Sequence, residues 1–216
     1  MAFPRRGIYG INREQDSGLC LEHALAAAIR GGLVAFQYRR KADAGEDQAR
    51  LDEAVRLMAI CRHAGIPFIV NDDVDLAHRI AADGVHLGRD DASPPAARSL
   101  LGPDALIGVS CYDSVARAQD AERASADYVA FGRFFPSQTK PLASPATPKT
   151  LKEARRRLRV PIVAIGGITR DNGSVLLDAG ADVLAVVDAA FGAEEPERAV
   201  RELTALFAVS EQTDVC

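Results

Sequence analysis

The chain has 216 residues, of which 48% are hydrophobic, 26% charged and 6% aromatic, a globular composition that suits one large domain and contains no low-complexity tract. A formal net charge of -4 gives no reason to expect nucleic acid or an anionic membrane as the main partner, so any anionic ligand must be held by local cations. The four cysteines, Cys20, Cys61, Cys111 and Cys216, show neither a Cys-x-x-Cys pair nor metal-ligand spacing, which favours reduced thiols in a cytoplasmic protein.

Gly7 to Ile11 reads as a first strand. The apolar run after Arg5-Arg6 is far too short for a signal peptide, and nothing spans a membrane. Leu21 to Arg30, with apolar residues at Leu21, Leu25, Ala28 and Ile29, is a helix stopped by Gly31-Gly32. Leu33 to Phe36 is a second strand that runs into Gln37-Tyr38-Arg39-Arg40-Lys41. A long helix follows from about Glu46 to Ala64, ended by Gly65. Pro67 to Val70 is a third strand and leads into Asn71-Asp72-Asp73. Val74 to Ala82 is helical, and Gly84 to Leu87 is a fourth strand followed by Gly88-Arg89-Asp90-Asp91. Pro94 to Leu101 is a short helix with Ser93 as its N-cap. Leu106 to Ser110, Tyr128 to Phe131, Ile162 to Ile165 and Val183 to Val187 complete the strands. Helices are expected over Ser114 to Ala124, about Thr150 to Leu158, from near Asp171, and over about Pro196 to Phe207. The long irregular segment from Gly132 to Pro148 carries four prolines, and loops of that length in compact domains are usually functional or disordered.

Eight strands and eight helices in strict alternation predict a single-domain (β/α)₈ TIM barrel over 1–216, with 210–216 a frayed tail, rather than an open doubly wound sheet. An internal echo agrees: Ile66-Pro67-Phe68-Ile69-Val70 resembles Val160-Pro161-Ile162-Val163-Ala164, and Ala82-Asp83-Gly84-Val85 resembles Ala181-Asp182-Val183. Chemistry in such a barrel sits on the loops that follow the strand C-termini.

Several strand ends carry suitable groups, each with a plainer alternative. Gln37, Arg39 and Lys41 fall on one side of an extended chain and Tyr38 and Arg40 on the other; the first set suits a pyrophosphate, and a solvated charge run is the alternative. Asp72 and Asp91 follow neighbouring strands and could share a hard cation such as Mg²⁺, which usually retains waters and takes up phosphate oxygens. Asn71, Asp72 and Asp91 could equally cap helices. His86 reads as a core or ring-lining histidine, and Cys111 as a buried thiol rather than a nucleophile, since no base neighbours it. Ser110 ends its strand with capping of the next turn as the plainer alternative, while Ser137, Thr139 and Lys140 offer hydroxyls and an ammonium to oxyanions. Gly166-Gly167, ahead of a helix, exposes backbone N–H groups where barrels usually bind phosphate.

Taken together, Gln37-x-Arg39-x-Lys41, Val70-Asn71-Asp72, Gly84-Val85-His86-Leu87-Gly88 with Asp91, Val109-Ser110, Asp127-Tyr128-Val129-Ala130-Phe131-Gly132, Phe135-Pro136-Ser137-Gln138-Thr139-Lys140 and Ala164-Ile165-Gly166-Gly167-Ile168 closely resemble the thiamine-phosphate synthase family. The resemblance runs from Gly7 to about Gly192. It implies a transferase that joins hydroxymethylpyrimidine pyrophosphate to thiazole phosphate with Mg²⁺ and releases pyrophosphate. Carried over by position, it assigns Gln37, Arg39, Lys41, Asn71 and Lys140 to the pyrophosphate, Asp72 and Asp91 to Mg²⁺, and Ser110 to the reacting region. Ser137 and Thr139 would hold the thiazole phosphate with the backbone of Gly167, Val187 and Asp188. Arg39, Lys41, Ser110 and Lys140 would carry the catalysis, as leaving-group electrostatics rather than proton transfer. Two positions depart from the family pattern: Ser137 stands where threonine is common, and Asp188 where serine is usual, so that a carboxylate faces a phosphate. A thiazole tautomerase-like enzyme and a non-catalytic phosphate binder are the alternatives. Small-molecule substrates are the expected partners, and a homo-oligomer is left open.

Overall fold

Branched and aromatic runs form the strands, because such side chains fit a pleated surface that is covered on both faces. The structure, a computed structural model, describes residues 1–41, 47–136 and 145–210. The parallel strands are β1 (Gly7–Ile11), β2 (Leu33–Tyr38), β3 (Phe68–Asn71), β4 (Gly84–Leu87), β5 (Leu106–Tyr112), β6 (Tyr128–Phe131), β7 (Ile162–Ile165) and β8 (Val183–Val186). They pair in sequence order and close β8 onto β1. Around them lie α1 (Gly18–Arg30), α2 (Asp47–Ala64), α3 (Val74–Arg79), α4 (Pro94–Leu101), α5 (Val115–Arg123), α6 (Pro148–Arg157), α7 (Ser174–Asp178), α8 (Asp188–Phe191), α9 (Pro196–Thr204) and α10 (Leu206–Ser210). The fold is therefore the expected (β/α)₈ barrel. Residues 211–216, most of the tail expected to fray, lie outside the described residues.

Strand parity divides the apolar residues into two cores. Ile8, Phe36, Val70, Val85, Ile107, Val129, Ala164 and Leu184 pack outward against the helices. Tyr9, Ala35, Ile69, Leu106, Tyr128, Val163 and Ala185 fill the barrel, where Phe3 joins them. Phe3 stacks on Tyr128 at 3.7 Å between ring centroids and meets Tyr9 edge-on at 5.4 Å.

Boundaries shift where pairing extends a run. Gln37 and Tyr38 belong to β2 because they pair with Ile69 and Val70. A bulge around Cys111 carries β5 on to Tyr112. The last helix is two pieces, α9 and α10, and α8 follows β8 directly. The helix expected from near Asp171 begins at Ser174.

At the N-terminal rim one device recurs. Oδ2 of Asp83, Asp127 and Asp182 accepts the N–H of Phe68, Ile107 and Ile162, at 2.9, 2.8 and 2.7 Å. Each aspartate precedes an even-numbered strand and ties down the odd-numbered strand before it, which gives the Asp83 and Asp182 echo its physical basis.

Candidate active site

At the opposite rim the inward parity continues past the strands. Beyond Tyr9 and Ile11 comes Arg13; beyond Ala35 come Gln37 and Arg39; beyond Ile69 comes Asn71. All of these except Ala35 and Ile69 line one cavity of about 490 Å³, together with Asp72, His86, Gly88, Ser110, Gly167, Val187 and Asp188. Tyr38 and Arg40 point the other way, to Glu53 on α2, which is 3% exposed. Its Oε2 accepts from Tyr38 Oη at 2.6 Å and Arg40 Nη1 at 3.1 Å, while its Oε1 takes the N–H of Gly18 at 2.6 Å. Lys41 is exposed beyond the end of β2 and is not part of the cavity wall.

Fully buried Asn12 clamps the two arginine-bearing loops. Its Oδ1 accepts the N–H of Arg39 at 2.8 Å, and its Nδ2 donates to the carbonyls of Arg13 and Arg39, each at 2.9 Å. Arg39 Nη1 lies 3.3 Å from Glu14 Oε2. Arg13 was not singled out from sequence, although the alternation through Tyr9 and Ile11 points to it. Its guanidinium binds Asp16, with Nη2 2.8 Å from Oδ1. That hydrogen bond holds its pKa above the ordinary arginine range, and the charge of Asp188 adds to the effect.

Of the three polar residues Asn71, Asp72 and Asp73 at the end of β3, Asp73 is the helix cap. Its Oδ1 accepts the N–H of Leu76 at 2.8 Å and its Oδ2 pairs with Arg50 at 2.7 Å. Asn71 and Asp72 instead line the cavity. Asp72 takes φ 63°, a left-handed conformation that aspartate tolerates better than most residues, and its N–H bonds the carbonyl of His86 at 2.9 Å. Asp91 is exposed outside the cavity wall; its Oδ2 accepts the N–H of Gly88, a wall residue, at 2.5 Å. The two carboxylates therefore belong to adjacent strand ends on one rim. Ser93, not Asp91, caps α4.

Arg117 braces β4 against β5. Its Nε donates to the carbonyl of Ser110 at 2.8 Å and its Nη2 to that of Gly88 at 3.1 Å. The bulge beside Ser110 is of the kind found where a strand re-aims a side chain near an active site. Cys111 faces away from the barrel interior; burial pushes its thiol up to about 12 against the pull of Arg117, so it is not a nucleophile. Gly167, at φ 62°, passes so close to the loop after β6 that a Cβ would run into the Pro136 carbonyl and lie 2.9 Å from Phe135 Cβ. Asp188 is exposed at the start of α8. Ser137, Thr139 and Lys140 lie outside the described residues. No group of three or more potential metal ligands of the His, Cys, Asp or Glu type occurs among the described residues, and no described helix is long and apolar enough to cross a membrane.

The family model described as thiamine monophosphate synthase matches residues 8–190. A thiamine-phosphate synthase of Methylococcus capsulatus is 51% identical over 207 residues, covering 96% of this chain and 92% of that protein. One from an Azoarcus species is 49% identical over 203 residues, covering 94% and 98%. The solved thiamine phosphate pyrophosphorylase of Pyrococcus furiosus superposes with a TM-score of 0.83 at 31% identity, covering 95% of this chain and 96% of the other. A 3-hexulose-6-phosphate synthase, at 17% identity and a TM-score of 0.67, shares the fold alone. With matches of this length and identity, reached independently through sequence and through fold, the chain belongs to the thiamine-phosphate synthase family and is a transferase.

Proposed function

We propose that this enzyme condenses hydroxymethylpyrimidine pyrophosphate with thiazole phosphate, giving thiamine phosphate and pyrophosphate. The observation that carries the reading is the shared mouth, where Gln37, Arg39, Asn71, Asp72 and Ser110 face Gly167 and Val187 across one cavity. A diphosphate ester at the first group and a phosphate at the second would bring two substrates together.

Two carboxylates on adjacent strand ends suit Mg²⁺, which needs few protein ligands and fills its shell with water and phosphate oxygens. Asp72 would hold the ion directly from the cavity wall, and Asp91 from the neighbouring loop. When bound, the ion supplies positive charge against the diphosphate oxygens. Arg39 binds that diphosphate through paired N–H donors, and its backbone anchor to Asn12 limits how far it can swing. Lys41 and Lys140 are assigned to the same group from sequence. As charge moves onto the diphosphate, the C–O bond to the pyrimidine methylene breaks with its electron pair on oxygen. The thiazole nitrogen then donates its lone pair to that carbon. No protein nucleophile is required, and no cysteine lines the cavity.

Asp188 raises a difficulty for phosphate binding, and Arg13 supplies an answer. Both line the cavity, and the guanidinium, although paired first with Asp16, also lies within the field of Asp188 and so reduces the repulsion at the N–H groups of Gly167 and Val187. The thiols of Cys20, Cys61 and Cys111 are free, as suits a reducing compartment, and we assign the enzyme to the cytoplasm. The test is direct: incubate the purified protein with both precursors and Mg²⁺, oxidise, and read thiochrome fluorescence. Product is expected. No signal from substrate batches that a known synthase consumes would refute the reading.

A further inference from the structure

A polar thread crosses the barrel at the floor of the cavity, and its two tyrosines and histidine have no part in the steps above. Gln37 Nε2 donates to Tyr9 Oη at 2.7 Å. Tyr9 Oη lies 3.0 Å from Tyr128 Oη, and Tyr128 Oη lies 3.1 Å from His86 Nδ1. His86 Nε2 lies 2.9 Å from Ser110 Oγ. Five side chains from β2, β1, β6, β4 and β5 are thus joined across the barrel.

We propose that Tyr9, Tyr128 and His86 form a one-way hydrogen-bond relay that fixes the neutral imidazole as its Nε2–H tautomer and turns the Ser110 hydroxyl proton toward the substrate cavity. The direction follows from counting protons. Tyr9 already accepts from Gln37, and at 1% exposure its own proton has Tyr128 as its acceptor within the thread. Tyr128, 0% exposed, must then donate to His86 Nδ1. A neutral imidazole that accepts at Nδ1 carries its proton on Nε2, so His86 donates to Ser110. The hydroxyl proton of Ser110 is left for an acceptor in the cavity, such as a ring nitrogen of a heteroaromatic substrate.

The packing supports this assignment. The Tyr128 ring is held by the stacked Phe3, and a Cβ on Gly108 would collide with it. The position facing Tyr128 is thus left empty for a ring whose hydroxyl reaches both neighbours. Tyr9, Tyr128 and His86 act through Ser110 and are positioning residues.

The consequence for turnover rests on the synthase reading; the tautomer does not. Nitrogen-15 spectra of histidine-labelled full-length protein, with His86 assigned by a His86→Gln variant, should show the Nε2–H form without substrate. An Nδ1–H form or a doubly protonated ring would overturn the relay, and this measurement needs no relay variant to fold. Tyr128→Phe should abolish the exclusive Nε2–H signature and lower kcat on the order of tenfold to a hundredfold, as misplacement of a reacting group does, with much smaller changes in KM. Tyr9→Phe leaves Tyr128 able to donate, so it should keep the tautomer and lose less. Equal losses in both variants with an unchanged His86 spectrum would also overturn the relay. A wild-type protein with the Nε2–H form but no thiamine phosphate product counts for the relay and against the synthase reading alone.

Discussion

The run Asn71-Asp72-Asp73 shows what a single residue decides. All three are good helix caps, so composition alone could not say which one serves α3. The structure gives that work to Asp73, and Asn71 and Asp72 join the cavity wall. Period two, by contrast, separates Gln37 and Arg39 from Tyr38 and Arg40, because the alternation persists past the end of β2 and the buried Glu53 receives the outward pair. Gly167 permits a sharp forecast: Gly167→Ala meets a left-handed backbone and the Pro136 carbonyl together. It should cost more than about 1 kcal/mol in urea unfolding. The thiols offer a second. Burial pushes the Cys111 thiol up to about 12, so at pH 8 it stays protonated and unreactive. A thiol reagent at that pH should therefore label exposed Cys20 rapidly and leave Cys111 unmodified until the protein unfolds.

At the scale of elements, alternation of strands and helices was legible because every strand is a short apolar run bounded by turn residues. What the sequence concealed was tertiary. The end of β5 depends on a bulge against β6, and α8, only four residues long, has no periodicity to detect. Of the aspartates before β4, β6 and β8, only Asp83 and Asp182 showed in the sequence as a faint repeat, yet each of the three accepts an N–H near the start of a neighbouring strand. Asp182, which also pairs with Arg155, makes the test. Asp182→Ala leaves the Ile162 N–H without its partner and should lower stability by about 1–3 kcal/mol. The change should appear as a lower denaturant midpoint, with product formation by the surviving folded protein intact.

Across the whole molecule, one end of the barrel is devoted to holding it closed and the other carries the cavity. Phe3 and the aspartate ties close the N-terminal end. At the other end the inward parity of β1, β2 and β3 brings Arg13, Arg39 and Asn71 to one opening with Ser110. Arg13 escaped notice in the sequence because it lies beyond its strand, with no motif to mark it. We propose that Asp72, at this opening, holds the divalent cation against a departing diphosphate. The most direct measurement is thiamine phosphate formation by wild type and Asp72→Ala over a titration of Mg²⁺. Wild type should need Mg²⁺ and stop with a chelator, and Asp72→Ala should fall at least about a hundredfold, the scale expected when a charge-stabilising group is lost. Near-normal turnover of Asp72→Ala at low Mg²⁺, or wild-type turnover undiminished by the chelator, would contradict the account.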